Sequence, residues 1–193
     1  MRKATQMKGI FCIEGLWESD LRKRDTVMPL LEVLRLNAGV KYIHRECATK
    51  EELEFYLKKW PQKNYDAYPI LYLTLHGDSE EIFLASKPYS LKDLSRVLEG
   101  KCNNRVIMIS SCKTLMTSKR TLKDFLSITN ALALCGYRND AWWLRSAAFE
   151  LLLFEIMQEN EFSLRGIDAM SRKTKELSRS FKDLDVIFLS QKN

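Results

Sequence analysis

The sequence predicts an α/β sandwich, a mostly parallel central sheet with helices on both faces, and three observations carry that prediction. Two short runs, Pro69-Ile-Leu-Tyr-Leu-Thr-Leu75 and Arg105-Val-Ile-Met-Ile-Ser-Ser111, are apolar on successive residues rather than on alternate ones. That is the pattern of a parallel strand covered on both sides. Between them, Ser90 to Glu99 carries Leu91, Leu94, Val97 and Leu98 on one helical face, and Gly100 follows where a helix-ending glycine belongs. Strand, helix and strand make a crossover unit, so the two strands run parallel as neighbours. The same alternation continues along the chain, without internal repeats or low-complexity segments. With 193 residues, 46% of them hydrophobic, the chain is long enough for one compact domain spanning residues 1–193.

Taken in order, Gly9 to Ile13 reads as the first strand and Glu14 to Asp20 as the loop that leaves it. Thr26 is placed to cap a helix from Val27 to Asn37, with Pro29 tolerated in its first turn. Gly39 ends that helix, and Val40 to His44 is a second strand. Thr49 caps a helix reaching Trp60, carrying Leu53, Tyr56 and Leu57 on one face, and Pro61 stops it. After the first apolar run, Glu81 to Leu84 with Pro88 and Tyr89 suggests a small hairpin over the strand ends. Beyond Cys112 a polar stretch, Lys113 to Arg120, leads into a helix from Thr121 to Ile128. Ala131 to Cys135 is another inner strand, and a long amphipathic helix follows from Ala141 to Gln158. A charged helix from Leu164 to Phe181 precedes Val186 to Leu189, read as either an edge strand or a packed tail. Right-handed crossovers give the strand order 2-1-3-4, with the 131–135 strand outside the one that ends before Cys112.

This order has a chemical consequence. His76-Gly77 follows one strand and Cys112 follows its neighbour. Adjacent parallel strands lie roughly 4.8 Å apart, and both carboxyl ends emerge on one edge of the sheet, where open α/β sheets bind ligands. A thiol beside an imidazole is a nucleophile with its base. The amides of Gly77 and Cys112 are natural donors to an oxyanion, and glycine allows the close backbone approach this needs. A helix starting after Cys112 would further activate the thiol.

The sequence of apolar strand, His76-Gly77-Asp78, helix, apolar strand and Ser110-Ser111-Cys112-Lys113-Thr114 resembles the caspase-like cysteine peptidases, and among them the CHAT branch most. The resemblance runs from about residue 8 to residue 160 and includes Leu132-Ala-Leu-Cys-Gly136. It departs from true caspases in lacking Gln-Ala-Cys-x-Gly and in a shorter interval between His76 and Cys112. The resemblance implies a three-layer caspase-like sandwich, a protein substrate cut after one selected residue, and activation by proteolysis or by a protein partner. It also implies that a backbone carbonyl can orient the imidazole; Asp78 is the sharpest side-chain candidate, against a reading as a solvated turn residue.

Composition and chain order remove several other chemistries. A class I glutaminase or an α/β-hydrolase places its His after the nucleophile, and neither His44 nor His76 follows Cys112. A phosphatase loop needs Arg six residues after its Cys, where Ser118 stands. Gly-rich phosphate motifs are missing, and the two histidines and five cysteines form no metal-ligand pattern, so no cofactor and no metal is expected. An odd cysteine count without a Cys-x-x-Cys pair fits a reducing, cytoplasmic setting, with Cys12 and Cys135 as buried thiols. The polar stretch Met1 to Lys8 has no secretory apolar run behind it, and the 147–157 region, interrupted by Glu150 and Glu155, is too short to span a bilayer. The net charge of +6 is spread along the chain and accompanies no nucleic-acid motif.

Glu18 and Asp20, after the first strand, and Asp140, before the long helix, are the candidates for receiving a basic substrate side chain. Trp142 and Trp143 begin that helix, one expected to pack in the core and the other to line a pocket. The expected function is a cysteine endopeptidase with a Cys112–His76 dyad. The alternatives are a binding or scaffold domain with a silent dyad, and a small-molecule hydrolase or acyltransferase using the same pair.

Overall fold

The computed structural model describes residues 7–191, so most of the polar N-terminal stretch lies outside the described residues. In chain order the elements are β1 (Ile10–Gly15), α1 (Met28–Ala38), β2 (Tyr42–Cys47), α2 (Lys50–Lys59) and β3 (Ile70–Thr74). Three short strands follow, β4 (Gly77–Asp78), β5 (Glu81–Leu84) and β6 (Lys87–Ser90), then α3 (Leu91–Val97) and β7 (Val106–Ser110). The rest is α4 (Lys119–Thr129), β8 (Ala133–Tyr137), α5 (Trp143–Glu159), α6 (Leu164–Ser178) and β9 (Val186–Ser190).

Six strands form the central sheet in the order β2-β1-β3-β7-β8-β9, as the crossover argument requires for the first five. All neighbours pair parallel except β9, which runs antiparallel against β8 and covers that edge. Val186 to Leu189 is therefore an edge strand rather than a packed tail. The missing alternation in the inner strands now has its reason. Phe11, Ile13, Leu71, Leu73, Ile107 and Ile109 point into one core, closed by α2, α3 and α4. Ile10, Cys12, Ile70, Tyr72, Val106 and Met108 point into a second core, closed by α1, α5 and α6. Both faces are dry, so both sets of positions are apolar.

Local chemistry sets the element ends. Thr49 and Glu52 form a reciprocal capping box at the start of α2. Ser118 accepts from the Thr121 amide at 3.0 Å, so α4 begins before the position expected from apolar spacing alone. Thr26 does not occupy the N-cap of α1, which is Val27; its hydroxyl donates to Glu14 and accepts from the Met28 amide. Two strands sit two residues later than their apolar runs suggest. The register Ile10↔Tyr42 starts β2 beyond Val40, and Val106↔Ala133 starts β8 beyond Ala131 and Leu132.

Beyond β3 the chain folds β4, β5 and β6 into a separate antiparallel sheet. It is one strand larger than the expected hairpin because Gly77 and Asp78 pair with Ile82 and Glu81. This small sheet stands beside the carboxyl ends of β3 and β7, fixed there by Thr114, whose hydroxyl donates to the Glu81 carbonyl at 3.0 Å.

Candidate active site

The register Thr74↔Ser110 aligns β3 with β7, so His76 and Cys112 each lie two residues beyond a matched pair. Both side chains line one cavity at this edge of the sheet, together with Trp17 from the loop after β1. His76 is exposed and Cys112 half-buried, so both are open to a substrate.

The imidazole is held from behind. Nε2 of His76 lies 2.7 Å from the carbonyl oxygen of Trp17, and the His76 and Trp17 rings meet edge to face at 5.1 Å. A carbonyl only accepts, so Nε2 carries the proton and Nδ1 is the basic nitrogen of the neutral ring. The orienting group is thus a backbone carbonyl, and Asp78 is an exposed residue at the end of β4 whose carboxylate accepts from the Ser79 amide. Trp17 is fixed in turn: its indole N–H donates to Glu14 at 2.6 Å, and its ring packs edge to face on Trp143. Glu14 is buried, and burial alone would raise its pKa. Hydrogen bonds from His44, Trp17, Thr26 and the Val27 amide outweigh that effect and hold the carboxyl below its ordinary range. His44 therefore packs against this buried carboxylate, 2.6 Å away.

Cys112 differs from the other four cysteines, all of which are buried. Burial pushes Cys47 and Cys102 up to about 12 and raises Cys12 and Cys135 as well, so these thiols stay protonated. The Cys112 sulfur accepts from the Ala141 amide at 3.4 Å. No helix starts at Cys112: the chain turns through Lys113 in the left-handed region (φ 53°), and α4 begins only at Lys119. The expected contribution of a helix N-terminus to this thiol is therefore absent.

Gly77 sits where a larger residue would not. A Cβ there would lie 2.8 Å from the Ser111 Cβ and 3.0 Å from the Glu81 carbonyl oxygen, and would also run into the Thr114 hydroxyl. In the β4–β5 ladder it is His76 O that accepts from the Phe83 amide, at 2.8 Å. Gly77 and Ile82 therefore face each other as a non-hydrogen-bonded pair, and the Gly77 amide points away from β5.

The three acidic candidates all stay outside the cavity beside Cys112. Asp140 pairs with Lys113 at 2.8 Å, and Asp20 pairs with Arg22 at 2.9 Å. Glu18 pairs with Lys23 at 3.5 Å and lines a neighbouring groove with Gly77 and Phe83. Neither tryptophan of the long helix joins the core: Trp142 is 76% exposed, and Trp143, 43% exposed, lines the cavity.

The cavity itself measures about 280 Å³. Val27, Leu30, Ala147 and Leu151 wall it, and Thr74, Ser110 and Glu150 add the polar part of its lining. Burial raises the pKa of Glu150, opposed by hydrogen bonds from Ser110, Tyr72 and Tyr137. From the sequence alone, Glu150 reads only as a charge interrupting an apolar helix. Its place beside Phe149 and Leu153 on the buried face of α5 was the available signal. Among the described residues no group of three His, Cys, Asp or Glu gathers to hold a metal ion. No helix among them is long and apolar enough to cross a membrane.

Solved structures share this architecture, and two of them illustrate it. The crystal structure of caspase-1 from Spodoptera frugiperda superposes with a TM-score of 0.56 at 12% identity, covering 97% of this chain and 88% of that one. The structure of pro-sf-caspase-1 gives 0.58 at 11% identity, covering 99% and 97%. At such identities the likeness speaks to the fold, a caspase-like α/β sandwich. No curated protein matches the sequence. A family model does match, over residues 7–189, and the chain belongs to that family, one of unknown function (DUF6642).

Proposed function

We propose that the protein is a cysteine endopeptidase of the caspase-like type, related to the CHAT branch, working through Cys112 and His76. The observation that supports this reading is the placement of a half-buried thiol and an exposed imidazole at equivalent positions past adjacent parallel strands, where both line one cavity. The Trp17 carbonyl supports it, because a ring held through Nε2 keeps Nδ1 available as the base.

In this mechanism the Cys112 sulfur attacks the scissile carbonyl while His76 takes the thiol proton. The Gly77 and Cys112 amides donate to the oxyanion that forms. The C–N bond then breaks, and the imidazolium gives its proton to the departing amine. Water, deprotonated by His76, attacks the thioester and releases the acid product with the free thiol. The substrate is a protein segment in extended form, the setting is cytoplasmic, and activation is by proteolysis or by a protein partner.

A peptide-library cleavage assay tests the reading. The unmodified protein is expected to cut a subset of peptides. Cys112→Ala abolishes the activity, and His76→Ala lowers it by about 100-fold or more. An absence of cleavage by protein that is folded and proteolytically processed favours the scaffold. Hydrolysis confined to small esters or amides favours the small-molecule enzyme.

A further inference from the structure

The loop that leaves β1 holds the imidazole but has little backbone structure to hold itself. Among the described residues, Trp17, Glu18 and Ser19 enter no backbone–backbone hydrogen bond. Yet among them the Trp17 carbonyl is the group that hydrogen-bonds the exposed His76 ring, at 2.7 Å. A ring held by a single oxygen is only as well placed as that oxygen. The rings on either side of the indole, His76 at 5.1 Å and Trp143 at 5.2 Å, are themselves exposed and give the loop no fixed support.

The fixed support is Glu14, the last residue but one of β1 and 1% exposed. Its Oε1 accepts from the Trp17 indole at 2.6 Å and from the Val27 amide at 2.8 Å. Its Oε2 accepts from the Thr26 hydroxyl at 2.7 Å and from His44 at 2.6 Å. A carboxylate has about four lone-pair sites, so these donors fill it and leave it no room to swing. Three of them belong to regular structure or its edge: Val27 is the N-cap of α1, Thr26 precedes it, and His44 lies on β2 in register with Cys12. The fourth, the indole, belongs to the loop. Glu14 therefore ties the loop to two strands and a helix through one side chain.

We infer that Glu14 is a positioning residue for His76: through the Trp17 indole it fixes the carbonyl that holds the imidazole at the cavity shared with Cys112. Its oxygens divide the work, Oε1 serving the loop and Oε2 the scaffold. The inference rests on the peptidase reading only for the role of His76 as the base. A displacement of about 1 Å near the reacting groups costs up to about 100-fold in rate, so a loosened loop shows in kcat rather than in KM.

Two readouts test this. The chain has two histidines, so ring carbon relaxation in histidine-labelled protein gives two sets of signals, and His44→Gln assigns them. The His76 ring is expected to be ordered in the unmodified protein, with an order parameter of about 0.85, and to fall below about 0.6 in Trp17→Phe. That variant keeps an aromatic ring and the backbone carbonyl but has no N–H for Glu14. Glu14→Leu should loosen the ring in the same way. Glu14→Gln should restore it, because its one carbonyl oxygen still serves the indole and the Val27 amide. Trp17→Phe lies on an open loop, so the test stands even if Glu14→Leu misfolds. In peptide cleavage, Trp17→Phe is expected to lower kcat about tenfold or more with KM unchanged. An ordered His76 ring in Trp17→Phe overturns the inference and, where cleavage persists, leaves the peptidase intact. A raised KM with unchanged kcat also overturns it, since Trp17 would then act on substrate binding. A loosened ring in protein that cuts no peptide supports the anchoring by Glu14 and overturns the peptidase.

Discussion

Glu14 and Glu150 are both buried carboxyls near the candidate site, yet their surroundings push them in opposite directions. Glu14 has an imidazole, an indole, a hydroxyl and a backbone amide around it, and its folded pKa lies below the ordinary value. Its contribution to stability is therefore full above the unfolded carboxyl pKa of about 4.3 and is lost as pH falls through the lower folded value. Glu150 has its folded pKa raised by burial. Its contribution is full below about pH 4.3 and declines as pH rises through the higher folded value. Thermal unfolding followed from pH 3 to 8 should show both limbs: Glu14→Gln flattens the acid limb, and Glu150→Gln flattens the decline on the other side. Identical profiles for wild type and both variants would contradict the two assignments. The sequence disclosed His76 and Cys112 because an apolar run announces where each strand stops. It could not disclose Trp17, whose contribution is a carbonyl oxygen that any residue carries. Glu150 escaped for another reason: a charge in a helix reads as exposed until the packing of both helix faces is known.

At the scale of elements, the small β4–β6 sheet connects the two halves of the site. Gly77 is threaded between the Cys112 loop and β5, with no room for a Cβ, and its amide faces away from β5. Gly77→Ala is expected to displace that amide and lower kcat about 100-fold or more, as for loss of one oxyanion donor. Steady-state kinetics checks this, with circular dichroism to show that the fold persists; unchanged kcat would remove Gly77 from the oxyanion role. Element existence was legible throughout, and boundaries less so. Ala131 and Leu132 are as apolar and buried as the strand they precede, and only the pairing of Val106 with Ala133 shows where β8 begins. Likewise, nothing in Lys113 or Thr114 says that the chain turns there instead of entering a helix; the left-handed Lys113 is set by contacts on both sides, with Asn139 and Tyr137 accepting from the loop amides.

For the whole molecule, two cores on opposite faces of one sheet make the edge that carries the site rigid. Phe154 lies in the core formed with α1, α5 and α6 and packs edge to face on Tyr72, whose hydroxyl reaches Glu150. Phe154→Ala should cost about 3–5 kcal/mol of stability, read by urea denaturation. A loss below about 1 kcal/mol would mean that this core does not support the site. The layered architecture and strand order were legible because continuous apolar runs and right-handed crossovers leave few arrangements. The cavity beside Cys112 was not, since it forms between α1 and α5, far apart in sequence.

The most direct test of the central claim is the second-order rate of iodoacetamide alkylation at each cysteine near neutral pH, in the unmodified protein and in His76→Ala. Exposure alone would make Cys112 faster than the four buried thiols in both proteins. A working pair instead predicts that Cys112 loses about tenfold or more of its rate when the imidazole is removed, while the others do not change. An equal Cys112 rate in the two proteins would contradict the account.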